Sequence, residues 1–483
     1  MARSLSRLAS VTFLGRVSGR VFSFGIYILI SRTLGATALG SFAIGLVMVR
    51  IGATVAKLGM GTAAQRFIPS YESNDEYGSV TGLTLVAIFT PVIIGILLTI
   101  LINVSFETIS SFTEEPLGPA VRVLSLGIPL FGMMDATATA TRGFRETKYS
   151  VYIRDVAQPL TALLFAAILF LIFGDLVAVV WGYVLSLLIA VILGIIFLNK
   201  LGAFTGLSRV TVDVSELFLY APKAALTSVG NRLLSWTDVV VLTLFVASGP
   251  IGQYEAAFQV SLLLSFALAS VNSIFPSVAS NLYQNEDYSR LETMYGVSTK
   301  WITLLTAFAT MFTIVFATEI LSIFGNNFGE ATVVLIIFAV MRLLVAVAGP
   351  AGFLLLMTDH ENIELINVFL SIILNLGLNF LLIPHYGITG AAIATAITLS
   401  AINLARVVQI KSFLQMTPYT RQYLLGIPPL LLCLFLMLVG RTLNINPIIQ
   451  IISTGTIVGL VFLVFCYRWC WTNTDQILFS SIE

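Results

Sequence analysis

A chain of 483 residues with 58% hydrophobic side chains, only 10% charged ones and a mean hydropathy of +0.98 is too apolar for a water-soluble globular protein, so most of it must be solvated by lipid. Its 25 lysines and arginines against 24 acids leave a formal charge of +1, which excludes a general attraction for polyanions such as nucleic acid and makes the placement of charge the informative quantity. The three cysteines, Cys433, Cys466 and Cys470, all lie in the last two apolar stretches and read as apolar filling, with no disulfide or metal set among them.

Arg3 and Arg7 precede the first apolar stretch, but Arg16 and Arg20 interrupt it and no small-residue cleavage site follows, so it reads as a retained helix and not a signal peptide. Runs long enough to cross the hydrocarbon core, which takes roughly 20 residues, number about fourteen. In chain order they span 12–34, 40–62, 80–104, 117–140, 151–173, 176–198 and 217–247. The second group spans 251–279, 294–318, 330–357, 363–383, 387–410, 422–440 and 447–467. An even count puts both termini on one side, and with that side inside, fourteen cations flank inner helix ends or lie in inner loops while only Arg32 and Arg441 fall outside. Both termini are therefore expected in the cytoplasm.

The chain resembles itself at an offset near 212 residues. Gly19, Arg20, Ser23 and Phe24 match Asn231, Arg232, Ser235 and Trp236; Gly40 and Phe42 match Gly252 and Tyr254; Gly174 meets Gly387. Six helices separate the copies, so the repeats are parallel, related by an axis along the membrane normal. The expected fold is all-α integral membrane, two parallel six-helix lobes plus two C-terminal helices. Its parts are an N-terminal lobe over 1–198, a cytoplasmic linker over 199–215, a C-terminal lobe over 216–411, and helices thirteen and fourteen with the tail over 412–483.

Nine cations remain inside spans: Arg16, Arg20, Arg50, Lys57, Arg122, Lys223, Arg232, Lys300 and Arg342. At the bilayer centre each costs at least about 2.5 to 3.5 kcal/mol on insertion scales, so such residues turn toward a bundle interior or a wet cavity. Arg16 and Arg20 are i, i+4 on the first span, Arg50 and Lys57 are i, i+7 on the second, and each pair shares a face. Arg232 stands at the repeat position of Arg20, beside a polar stripe of Ser228, Asn231, Ser235 and Asp238. Spans one, two and seven would thus line an electropositive cavity suited to phosphate, with Arg20, Arg50, Arg232, Arg342, Arg16 and Lys57 as candidate substrate cations. The plainer readings are snorkelling to headgroups for Arg16, Lys223 and Lys300, and pairing with Asp135 or Asp238 for Arg50 and Arg342. Asp238 is also a candidate coupling-ion carboxylate. The outer loops are too short for catalytic machinery, and no phosphate-binding GxxxxGK[ST] run occurs, so neither an enzyme nor an ATP-driven pump is expected.

The run from Asn375 through Asn379, Pro384, Gly387 and Gly390 to Thr395 closely resembles the helix 11 to helix 12 signature of the polysaccharide-transporter flippases, in the multidrug, oligosaccharidyl-lipid and polysaccharide exporter superfamily. Arg32, Gly35, Gly40 and Phe42 are similar to that family's first turn, as are Arg142, Gly143 and Phe144 before the fifth span. The resemblance implies two six-helix lobes, a cavity open alternately to either side, and a prenyl-phosphate-linked or diphosphate-linked sugar whose head crosses while its tail stays in the bilayer. It implies a multi-pass plasma-membrane flippase serving surface polysaccharide or protein glycosylation. Its partners would be the lipid-linked glycan and membrane lipids, with glycan-assembly enzymes as further candidates; no cofactor, metal or nucleic acid is expected, and the pseudo-symmetric lobes make a working monomer the simpler expectation while leaving the oligomeric state open. The first span departs from the multidrug branch in offering Arg16 and Arg20 and no acid for a cationic drug, which leaves a cation-coupled multidrug exporter as the alternative.

Overall fold

The computed structural model of the chain describes residues 2–212, 217, 221, 236–443, 446–472 and 475. Among these, the regular structure is entirely helical, as lipid demands of a backbone that must close its hydrogen bonds within each segment. Nine of the described helices are long and apolar enough to cross a membrane, from Leu14–Ala56 to Pro447–Cys470. Large apolar side chains such as Val104 and Leu171 stand more than four-fifths exposed on them, an arrangement that only lipid makes favourable. The protein is a multi-pass integral membrane protein.

Two of the nine helices each cover two of the spans expected from sequence. The first, Ala2–Ala56, reverses at Gly35, whose φ of 84° and ψ of −176° belong to a region that side chains with a Cβ avoid. Glu361–Phe413 is broken in the same way at Gly387, with φ 54° and ψ −132°. Other boundaries differ from expectation. The second span stops at Ala56, short of residue 62, because Leu58 and Gly59 take positive φ and turn the chain into a separate helix, Met60–Ser73. The fifth begins earlier, at Thr147, and passes through a π-helical turn at Tyr152–Ala157. The eighth is divided among Ser248–Leu264, Phe266–Val271 and Phe275–Gln284. Most of the seventh lies outside the described residues, which cover Trp236–Phe245.

The chain forms two compact units, Met1–Gly252 and Gln253–Glu483. Within the first, repeat-related positions meet reciprocally. A Cβ on Gly40 would lie 1.7 Å from the Ser248 carbonyl oxygen, and one on Gly252 would lie 2.0 Å from that of Ala36. The offset of 212 carries Ala36 to Ser248 and Gly40 to Gly252, so the two contacts are images of each other and both require glycine.

In the second unit, Glu361–Phe413 folds back on itself along a polar seam. Arg406 grips Glu364 with two nitrogens, Nε at 2.9 Å and Nη2 closer still. Asn367 and Gln409 exchange amide hydrogen bonds of 2.7 and 2.9 Å, and Asn375 donates to Thr395 at 3.2 Å. Asn375 of the resembling motif is therefore a buried tie between antiparallel arms, and Asn379, one turn on, donates to its Oδ1 at 3.0 Å.

Candidate functional site

Charged side chains of the first unit gather around the buried Asp135. The first arm of Ala2–Ala56 carries Arg16 and Arg20, both exposed, one helical turn apart. Gly19, between them, lets that arm press on the π turn: a Cβ there would lie 1.9 Å from the Asp155 carbonyl oxygen. Gly15 similarly faces Val151, where a Cβ would approach its side chain to 2.3 Å. The π turn is itself an extra-residue register shift, a feature often found where function requires a side chain to be re-aimed. Here it carries Arg154 and Asp155.

Asp135, on Pro119–Gly143, lies at the centre, its side chain only 6% exposed. Lys57, at the turn that ends the second arm, forms an ion pair with its Oδ2; Arg154 Nη1 lies 3.1 Å from Oδ1. Asp155 feels the charges of Arg154, Arg16, Arg142 and Arg20. Arg142 also donates from Nε to Ser150 Oγ at 2.9 Å. Five cations thus share two carboxylates, a formal excess of three positive charges among these seven groups. Clustered cations of this kind have the chemistry to attract an anion.

The structure brings together three of the six candidate cations, Arg16, Arg20 and Lys57. Arg50 is elsewhere in the same unit, half-buried with its guanidinium 4.6 Å from the centre of the Trp236 ring and beside the buried Tyr183. Of the two acids offered as plainer partners for Arg50, Asp135 pairs with Lys57 and Arg154. Arg342 belongs to the second unit, with Nη2 3.4 Å from Ser261 Oγ and Phe258 beneath it. Arg232 and Lys223 lie outside the described residues; Asp238 is described and buried. Lys300 does not snorkel: it is 1% exposed and paired with Asp475.

Sequence reasoning missed Arg142, Arg154 and Asp155, which it assigned to a loop and a helix end. The available signal was an Arg-Asp dipeptide breaking into an otherwise apolar run, within reach of Arg142 once the chain turns at residues 144–146. Away from the charged end, an apolar cavity of about 480 Å3 is lined by Met48, Ile51, Leu98, Phe112, Val121 and Leu244, among others, with no ionisable side chain among the described residues.

Residues 5–282 match the family model described as polysaccharide biosynthesis protein. A probable low-salt glycan biosynthesis flippase, Agl15 of Haloferax volcanii, is 31% identical over 218 residues, 43% of this chain and 46% of that protein, so the match spans about half its length. The probable flippase AglR of the same organism is 24% identical over 86% of this chain and 85% of its own. Among solved structures, the lipid II flippase MurJ in an inward closed conformation aligns with a TM-score of 0.72 at 16% identity, covering 94% of this chain and 97% of that one. An inward-facing multidrug resistance MATE transporter aligns with a TM-score of 0.71 at 15% identity, covering 84% and 98%. These two share the fold.

Proposed function

The chain belongs to the polysaccharide biosynthesis protein family, and from that premise we propose that it is a flippase, a carrier and not an enzyme. Its cargo would be a prenyl-phosphate-linked oligosaccharide or sugar, taken from the cytoplasmic to the outer leaflet of the plasma membrane for surface polysaccharide or protein glycosylation. The observation that carries the reading is the cluster in which Arg16, Arg20, Lys57, Arg142 and Arg154 outnumber Asp135 and Asp155. Guanidinium forks grip phosphate through two oxygens, and a partly desolvated fork grips harder than one in water. The printed names of Agl15 and AglR agree with a glycan cargo. Arg50, Arg232 and Arg342 are proposed further contacts along the path.

Moving a phosphate-bearing head outward is favoured by an inside-negative potential, by roughly 2.3 kcal/mol per charge per 100 mV. The alternative, a cation-coupled multidrug exporter, rests on the burial of Asp238 as its coupling carboxylate. A site with excess cations repels cationic cargo, which favours the flippase.

The test is reconstitution in liposomes with a prenyl-diphosphate sugar whose headgroup bears a fluorophore that an added reductant can bleach. Wild-type protein should make the protected inner-leaflet half bleachable. Arg16→Ala with Arg20→Ala should slow this by at least about tenfold, as expected when charge-assisted hydrogen bonds worth about 1.5 to 3 kcal/mol each are removed. An inner-leaflet pool that stays protected with wild-type protein would overturn the proposal.

A further inference from the structure

Resting on that flippase reading, we infer that Asp135 is an internal stand-in for the cargo's phosphate: it occupies the Lys57 and Arg154 grip while the site is empty and is displaced when the phosphate arrives.

The geometry points this way in three respects. Asp135 presents one oxygen to an ammonium and the other to a guanidinium, with Lys57 on Oδ2 and Arg154 on Oδ1. Two oxygens shared between two cations is also how a phosphate docks, so carboxylate and phosphate compete for one grip. The burial is lopsided. Asp135 is 6% exposed, whereas Lys57 is 14% and Arg154 29% exposed, so the carboxylate closes the grip from within while the cations stay open on their other side. Finally, both cations adjoin irregular backbone. Lys57 adjoins Leu58 and Gly59, both at positive φ, and Arg154 lies on the π turn, where a register shift re-aims side chains.

Asp155 lacks these properties. Its carbonyl packs closely on Gly19, and among the described residues it feels the charges of several cations without the paired ion-pair contacts that Asp135 makes. It serves as the control, since neutralising it changes the net charge of the site by the same unit. A buried acid that merely tuned the field would be interchangeable with it.

Removing a competing internal ligand raises the fraction of protein competent to bind, and apparent affinity rises by the same factor. The experiment is calorimetric titration of the purified full chain in lipid nanodiscs with inorganic diphosphate and, separately, with farnesyl diphosphate. Asp135→Asn should tighten binding of both by at least about fivefold, the lower end of ordinary site coupling. Asp155→Asn should tighten it by less than about twofold, the residue of screened field alone. Farnesyl diphosphate should bind tighter than inorganic diphosphate; equal affinities would assign the grip to a free anion and overturn the lipid-linked part of the inference. In wild-type protein carrying carbon-13 aspartate, infrared difference spectra on adding diphosphate should show a shifted carboxylate stretch, and this needs no variant to fold. An unshifted band, no gain in Asp135→Asn, or an equal gain in Asp155→Asn would overturn the stand-in role while leaving the flippase reading intact. Failure of wild type and both variants to bind either anion would overturn both.

Discussion

The two units each bury an ion pair, and the two pairs are built to opposite plans. In residues 253–483, Lys300 and Asp475 are 1% and 0% exposed, one cation to one acid. Every proton of the ammonium is used: two go to the carboxylate oxygens at 2.6 and 2.8 Å, and one to the Cys470 carbonyl at 3.2 Å. Asp475 also accepts from Trp301 Nε1 at 3.0 Å and from the Thr472 backbone and hydroxyl at 2.6 and 2.8 Å. In residues 1–252, Asp135 is shared by two partly open cations within a cluster that stays positive overall. A closed, neutral, saturated pair fits a fastening; an open, over-charged one fits the proposed role of a receptor for something outside the chain. Burial of charge by itself separates neither.

That contrast can be broken most decisively at the fastening. Lys300→Ala leaves Asp475 buried without its cation, which costs about 3 to 5 kcal/mol, and the unfolding free energy in detergent, read by denaturant titration, should fall by that amount. Lys300→Met with Asp475→Leu should recover most of the loss. A fall below about 1 kcal/mol for Lys300→Ala would mean that water reaches the pair and that the two plans are one.

The polar seam of Glu361–Phe413 is the intermediate case, since Glu364 and Arg406 are 9% and 16% exposed. Arg406→Ala removes two charge-assisted bonds and should cost about 2 to 3 kcal/mol by the same titration. Arg406→Lys should recover less than half, because an ammonium cannot span both carboxylate oxygens in the plane of the fork.

How legible these regions were follows from the range of the interactions. Spans show in sequence because a run of apolar residues is local, and the turns at Gly35 and Gly387 fell where the apolar runs paused. The face shared by Arg16 and Arg20 was readable for the same reason, as was the reciprocity of Gly40 and Gly252 through the 212-residue offset. Lys57 pairing with Asp135 was not, because the two are 78 residues apart and the span containing Lys57 reads as running straight through the turn at Leu58. The π turn was invisible: its residues Tyr152 to Ala157 have ordinary helical propensity, and the register shift is seen only where Gly19 packs on it. Lys300 was read as snorkelling since its partner, 175 residues away, lies beyond the last span.

At the receptor, stability should respond weakly. Asp135→Asn leaves Lys57 and Arg154 able to turn their open sides to water, so the loss should stay at or below about 1 kcal/mol, the range of solvent-reached pairs. A loss comparable to that of Lys300→Ala would make Asp135 a fastening too, and with it the cluster would lose its standing as a receptor.

The smallest effect expected is an absence of change, and it tests whether the Lys300 and Asp475 pair is saturated. Burial acts to raise the pKa of Asp475, but the hydrogen bond from Lys300, the backbone and hydroxyl bonds from Thr472 and the charge of Lys300 outweigh it, and the net shift is downward from the ordinary 3.8. A carboxyl whose folded pKa lies below its unfolded one contributes stability that is fully present above the unfolded value and lost only as pH falls through the folded value. Between pH 7 and pH 5, therefore, this pair should hold unchanged, and it should begin to release only in the acid range below 3.8. Trp301, whose indole nitrogen bonds Asp475, reports it: the difference in emission between wild type and Trp301→Phe should be flat from pH 7 to pH 5 and shift to the red only in stronger acid. A red shift centred between pH 5 and pH 6 would place the carboxyl above its ordinary range, which requires that Lys300 not be its partner, and the fastening would dissolve into the same open, exchangeable plan as Asp135.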